Sequence, residues 1–224
     1  MTGVQTCALP IFHEGVDAVF NRAIETLKAS GAIIIDPANL KIGPKVGDDE
    51  MIVLQYEFKD GLNRYLQSRP GAPRDLAALI DFNDRQRESE MPYFEQEIFL
   101  SSQKEGPLTD RSYLRALRRS RTAAGPKGID AVLRKYKLDA IVAPTDGPAS
   151  MIDLVNGDHW IGGGSSQAPA IAGYPHITVP AGYVHGLPVG LSFIGTAWSE
   201  STLIRLAYTF EQSARARKPP ELVR

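Results

Sequence analysis

Apolar residues recur along this chain at helical spacing in long stretches, with short apolar runs between them. Val16, Val19, Phe20, Ala23, Ile24 and Leu27 predict a helix over 16–29, and Gly31 supplies its stop. Ala32 to Ile35 then reads as a strand apolar on both faces, ended by Asp36-Pro37; such strands belong in sheets covered by helices on both sides. Residues 39–49 read as a loop. The clearest helix covers 50–68, with Met51, Leu54, Phe58, Leu62 and Tyr65 on one stripe and Arg69-Pro70 as its stop. Leu76, Leu79 and Ile80 suggest a shorter helix after Pro73. The charged stretch 85–90 reads as a solvated loop. A helix is expected to restart at Met91-Pro92, since proline suits a first turn, and to carry Gln96, Glu97, Ile98 and Phe99.

Further on, Thr109 is a plausible N-cap for a helix over 110–124. Its Arg115, Arg118, Arg119 and Arg121 form a basic face, and without interleaved aromatic residues that face reads as a solvated side. Pro126 either separates two helices or kinks one, because Ile129, Val132, Leu133 and Tyr136 continue the apolar side. A strand follows at Ala140 to Ala143. Two more, Ile177 to Pro180 and Val189 to Gly195, are joined by a short connection through Tyr183 to Pro188. That connection predicts a hairpin, so the sheet must be mixed. The last helix starts near Ser199 and stacks Leu203, Leu206, Phe210 and Ala214. Arg215, Arg217 and Lys218 lie at its C-terminal end, where positive charge is favourable, and Pro219-Pro220 ends it.

Composition narrows the class without choosing a function. A chain of 224 residues with 43% hydrophobic and 23% charged residues can bury a real core. A net charge of −1 without long single-sign runs offers no nucleic-acid stripe and no polybasic membrane patch. The apolar runs are too short to span a bilayer. An intracellular, cytoplasmic protein is expected, although an export signal lying outside this stretch stays open. The single cysteine, Cys7, excludes an internal disulfide framework and a cysteine-based zinc site. Residues 1–11 have neither helical nor alternating periodicity and lack the basic start of a signal peptide. They resemble a translated sequencing-library adapter and are expected to stand outside the fold, as a non-native leader or an unstructured terminus.

The densest candidate chemistry is the Gly- and Ser-rich stretch from Gly157 to Gln167, which follows a strand end as ligand loops of open α/β sheets do. A serine nucleophile needs a base in reach and donors for the oxyanion. The nucleophile-elbow pattern fails, because Gly163-Gly164-Ser165-Ser166 is followed by Gln167 rather than glycine. Asp158 and His159 are sequence neighbours, a poor arrangement for aligning a carboxylate with an imidazole. His159, His176 and His185 have no paired spacing of the kind metal sites use. Two readings of the loop stay open: a tight passage that only glycine permits, or a pocket wall whose N–H groups and hydroxyls face a ligand.

Several segments together resemble the amidase-signature enzymes, and their C-terminal half in particular. They are Gly15 to Phe20, Glu57-Phe58-Lys59, Glu90 to Glu97, Leu138 to Thr145 and Gly157-Asp158-His159, then Ser165-Ser166 through Ala168-Pro169-Ala170 and Ala172 to Pro175 to Ile177 to Gly182, closed by Gly186 to Leu191. The likeness covers nearly everything from Gly15 to Pro220 and is greatest to the peptide-amidase and general-amidase branch.

The resemblance implies an α/β/α layered fold around a mixed sheet, present as an incomplete C-terminal fragment in which residues 12–224 are part of one amidase domain. It implies hydrolysis of a carboxamide to acid and ammonia or amine by two serines and a lysine, with no metal and no cofactor. The segment carrying those three residues has no counterpart here, so no catalytic residue is expected in this chain. Asp146, Asp158, Ser165, Ser166 and Gln167 are the expected substrate-pocket residues, with Phe94 and Gln96 beside them. The implied partners are a small-molecule or peptide amide and the missing N-terminal half of the domain; a homodimer stays open, and neither nucleic acid nor membrane is expected. The alternative is a non-catalytic binding or assembly module, such as one component of an amidotransferase complex.

Overall fold

The computed structural model describes residues 3–6, 13–37, 39–159 and 164–220. Two compact units form: one holds residues 1–43, 121–153 and 157–224, the other 44–120 with 154–156.

The first unit is built on a five-stranded mixed sheet in the order β2-β1-β3-β5-β4. Its strands are β1 (Gly3–Thr6), β2 (Ile33–Ile35), β3 (Ala140–Pro144), β4 (His176–Val184) and β5 (Leu187–Ile194). β1 runs parallel to both β2 and β3, with Val4 opposite Ile34 and Ala140. β5 is antiparallel to β3 and to β4. The expected hairpin is present and tighter than the sequence suggests. Its turn is only His185-Gly186, with φ of 49° and 82°, the left-handed pair that matches the twist of two antiparallel strands. The side chain at φ 49° is an imidazole; glycine takes the more demanding second place.

Alternation along β3 assigns the layers. Ala140 and Val142 face a core with Leu27 of α1 (Glu14–Ala29) and Leu203 and Phe210 of α9 (Glu200–Ala214). Ile141 and Ala143 face a second core with Ile129, Leu133 and Ala168. Helices therefore cover both faces, as α/β/α layering requires. All five residues of β3 are buried.

Two expectations fail in this unit. Gly3–Thr6, in the stretch expected to stand outside the fold, forms β1 between β2 and β3. The flanking strands each present unpaired N–H and C=O groups, and satisfying them needs only an extended backbone, not a periodic side-chain pattern. β2, read as doubly covered, lies at the sheet edge, where Ile33 keeps 47% of its surface.

The second unit is helical: α2 (Val46–Gln67), α3 (Leu76–Arg85), α4 (Arg87–Glu90), α5 (Glu97–Gln103) and most of α6 (Arg111–Ala124). α2 begins at Val46 rather than near residue 50, with Asp48 and Asp49 in its first turn, where the helix dipole favours negative charge. Asp49 is buried and takes Nε of Arg119 at 3.0 Å, which also fixes that first turn. So one arginine of the expected basic face is committed to a carboxylate.

Helix also forms where a loop was expected, at α4, and is absent where one was expected, at residues 91–96. Tertiary bonds override the local pattern there: Arg87 Nη1 donates to both oxygens of Glu95 at 2.6 and 2.7 Å, and Gln96 is buried. At Pro126 the chain passes from one helix to the next without leaving helical backbone. A π-helical turn, Gly125–Ile129, joins α6 to α7 (Asp130–Tyr136). The widened turn accommodates a residue that cannot donate to the preceding carbonyl ladder.

Candidate pocket wall at the end of the central strand

The chain leaves β3 at Pro144, and the next residue, Thr145, gathers most of the polar contacts around the strand end. Its N–H donates to Gly190 O at 2.9 Å, which extends the β3–β5 pairing by one residue. Its hydroxyl lies 2.9 Å from that of Ser192 on β5 and 2.5 Å from that of Thr178 on β4. Register explains the grouping, because Thr178 and Ser192 stand directly opposite each other. Ser192 is fully buried and Thr178 is exposed, so the three hydroxyls lead from the interior to the surface. Gly190 makes room for them: a Cβ there would sit 2.5 Å from Thr178 Oγ1 and 2.6 Å from Thr145 Oγ1.

Thr145 also anchors the returning loop. Its carbonyl accepts the Ser165 N–H at 3.1 Å and the Ser165 hydroxyl at 3.4 Å. Asp146, next in the chain, is exposed, and its carboxylate accepts the Gly147 N–H at 2.8 Å. The backbone of Gly164 passes close by, near enough that a Cβ there would lie 3.5 Å from Asp146 Oδ2. Ser165, one of the sequence-predicted pocket residues, is thus tied to the residue that precedes Asp146, another of them. Ser166 and Gln167 follow directly at the start of α8 (Gln167–Ala172), both exposed. Ser166 stands at the N-cap, but its hydroxyl does not cap the helix.

Asp158 has a local task as well: its Oδ1 accepts the Asp153 N–H at 3.1 Å and closes the turn over 153–158. Of the Gly-rich loop, residues 160–163 lie outside the described residues, as does Cys7. Phe94 and Gln96 belong to the helical unit. Phe94 is 54% exposed and lines a hollow of about 280 Å³ with Met91, Ile98 and Phe99. Gln96 borders the same hollow, but its amide is bonded inward. Nε2 donates to Asp84 at 2.9 Å and Ile80 O at 3.3 Å, and Oε1 accepts from Asn83 at 3.1 Å. That side chain ties the segment before α5 to α3.

On the other side of α8, Asp130 uses both carboxylate oxygens. It accepts from Tyr174 Oη at 2.9 Å and from Thr196 Oγ1 at 2.7 Å, so α7 holds the α8–β4 turn and the β5–α9 loop in register. Burial, and then the bond to Asp130, raise the Tyr174 phenol above its usual value. Burial lowers the His176 imidazole, and His176 Nε2 is a buried atom without a hydrogen-bond partner. Both effects keep these side chains neutral. Among the described residues, no cluster of three or more His, Cys, Asp or Glu is placed to hold a metal, and no helix is long and apolar enough to cross a membrane.

The Amidase family model matches residues 8–204. This chain belongs to the amidase family. The peptide amidase PAM, solved in complex with the competitive inhibitor chymostatin, superposes with a TM-score of 0.92 at 42% identity, over 99% of this chain and 45% of that one. The native peptide amidase of Stenotrophomonas maltophilia gives a TM-score of 0.88 at 40% identity, over 98% of this chain and 44% of that one. A probable amidase of Arabidopsis thaliana is 35% identical over 92% of this chain and 38% of its own length. The mixed α/β architecture is thus that of amidase-signature structures, and the chain spans about two-fifths of the length of the relatives it matches.

The cluster that sequence reasoning missed is Thr145, Thr178 and Ser192. Each is visible as a polar residue in or beside an apolar strand. What brings them together is strand register, and only the alternation in Ile177-Thr178-Val179 and Leu191-Ser192-Phe193 hinted at a shared face.

Proposed function

We propose that this chain forms the C-terminal, non-catalytic part of a domain that hydrolyses carboxamides to a carboxylic acid and ammonia or an amine. The supporting observation is the superposition on peptide amidase PAM at 42% identity over 99% of this chain, against 45% of that enzyme's length. In this reading the chain completes the sheet and walls the substrate pocket. Asp146, Ser165, Ser166 and Gln167 present polar groups at the end of β3, and Asp158 shapes the approach. Thr178 adds an exposed hydroxyl whose direction Thr145 fixes. The two serines and the lysine of the amidase-signature relay come from the remaining part of the domain.

Losing one member of a serine relay already lowers turnover by on the order of a millionfold, so the chain alone should release no ammonia from a peptide amide above a buffer control. Measurable release by the pure protein would overturn this reading. A second reading, an assembly module, draws on a component of the glutamyl-tRNA(Gln) amidotransferase of Methanosarcina mazei, 35% identical over 119 residues. That match covers half of this chain, and the first reading accounts for more of it.

A further inference from the structure

The apolar stripe of α2 is only partly covered within its own unit. On α2 the buried residues are Val46, Asp49, Tyr56 and Leu66. Met51, Leu54, Phe58 and Tyr65 are 45%, 53%, 36% and 53% exposed. At 100° per residue, residues 51, 54, 58, 62 and 65 fall within an arc of about 80°, opposite the side that carries Asp49 and Tyr56. The inward side is polar at its centre: Asp49 meets Arg119, and Tyr56 Oη lies 2.7 Å from the Ser112 hydroxyl. A surface helix ordinarily turns its apolar stripe to the core and its polar groups to water; α2 does the reverse. The exposed stripe extends onto α5, where the Phe99 ring lies 5.4 Å from that of Phe58 and Ile98 is 51% exposed.

What covers it follows from the lengths. The solved peptide amidases carry this same backbone, at TM-scores of 0.92 and 0.88, inside chains of which it makes up only 45% and 44%. We infer that the Met51–Tyr65 stripe of α2 is a docking face for an apolar surface of the remaining part of an amidase domain. A second copy of this chain fits less well. A symmetric dimer uses one self-complementary patch, whereas large apolar side chains are exposed here on separate elements, among them Ile204 and Tyr208 on α9 and Trp198 at 91%. The inference rests on the functional reading above.

The test mixes this chain with the separately expressed part of the Stenotrophomonas maltophilia peptide amidase that it does not align with. Binding and oxidative footprinting of Met51 and Tyr65 are the readouts. The expected result is a one-to-one complex in which both residues are oxidised at least fivefold more slowly. The double variant Leu54→Ser/Phe58→Ser, changed only at exposed positions, should weaken binding at least tenfold while keeping its helical circular dichroism. A complex that leaves Met51 and Tyr65 as reactive as before overturns the docking face and leaves the functional reading standing. Ammonia release by the chain alone overturns that reading instead. Absence of a complex, protection of the stripe in the chain alone, or a homodimer that the double variant dissolves would each overturn the proposal.

Discussion

β3 and α2 both carry rows of apolar residues, and they end in different environments. All five residues of β3 are buried, with helices on both faces and strands on both edges. α2 has 22 residues to the five of β3, yet much of its stripe faces water and its inward side is held by Asp49 and Tyr56. The difference lies in where each cover comes from. For β3, the covering residues belong to α1, α7, α8 and α9 of this same chain. For α2, Phe99 of α5 packs on Phe58, and Met51, Leu54 and Tyr65 keep about half of their surface. An apolar pattern thus specifies an element and a face that wants burial, but it does not supply the partner.

That contrast can be tested by substitution. Phe210 of α9 is fully buried against the sheet, its ring centre 6.2 Å from that of Phe193 in a tilted pair, so Phe210→Ala should cost about 3–5 kcal/mol of stability in urea unfolding. Phe58→Ala on the α2 stripe should cost at most about 1 kcal/mol, mainly its contact with Phe99. Equal losses would show that the stripe is already part of a core.

An effect between those two is expected at the candidate pocket wall. Gly190→Ala forces a Cβ against the hydroxyls of Thr145 and Thr178, and overpacking of this kind costs about 1–3 kcal/mol. Thr145→Val leaves the buried Ser192 hydroxyl without its 2.9 Å neighbour and should fall in the same range. If both substitutions were neutral, the strand end would be looser than the hydroxyl cluster requires.

The smallest effect is a pH dependence confined to the sheet unit. Burial holds the His176 imidazole below its ordinary 6.5. Above that value both folded and unfolded states are neutral there, and the fold bears no penalty. As pH falls through 6.5 the unfolded chain takes up a proton first, so stability drops until the folded imidazole is also protonated. The urea midpoint should therefore decline from pH 7 to below 6, and His176→Gln should flatten that slope. An unchanged slope in the variant would assign the dependence to other groups.

Much of the architecture was legible in the residues. The stripes of α1 and α9 are buried as their spacing predicts. The hairpin at His185-Gly186 makes the sheet mixed, and Ser165 bonds to Thr145 at the end of β3. The failures share one cause, which is that distant partners decided the outcome. Gln96 and the Arg87–Glu95 pair hold residues 91–96 out of a helix that Pro92 would otherwise start. Gly3–Thr6 becomes a strand because two others leave a gap for it. Thr145, Thr178 and Ser192 converge only once β3, β4 and β5 are in register.

By itself, then, the sequence determined most of the helices and strands and the layered α/β class, which depend on periodicity and on turn residues a few positions apart, and its motifs carried the family likeness. The tertiary structure decided that the Gly- and Ser-rich stretch returns to Thr145, that three hydroxyls line the strand end, and that much of the α2 stripe stays exposed. Each of these depends on which backbone lies beside which, and short-range pattern carries no information about that.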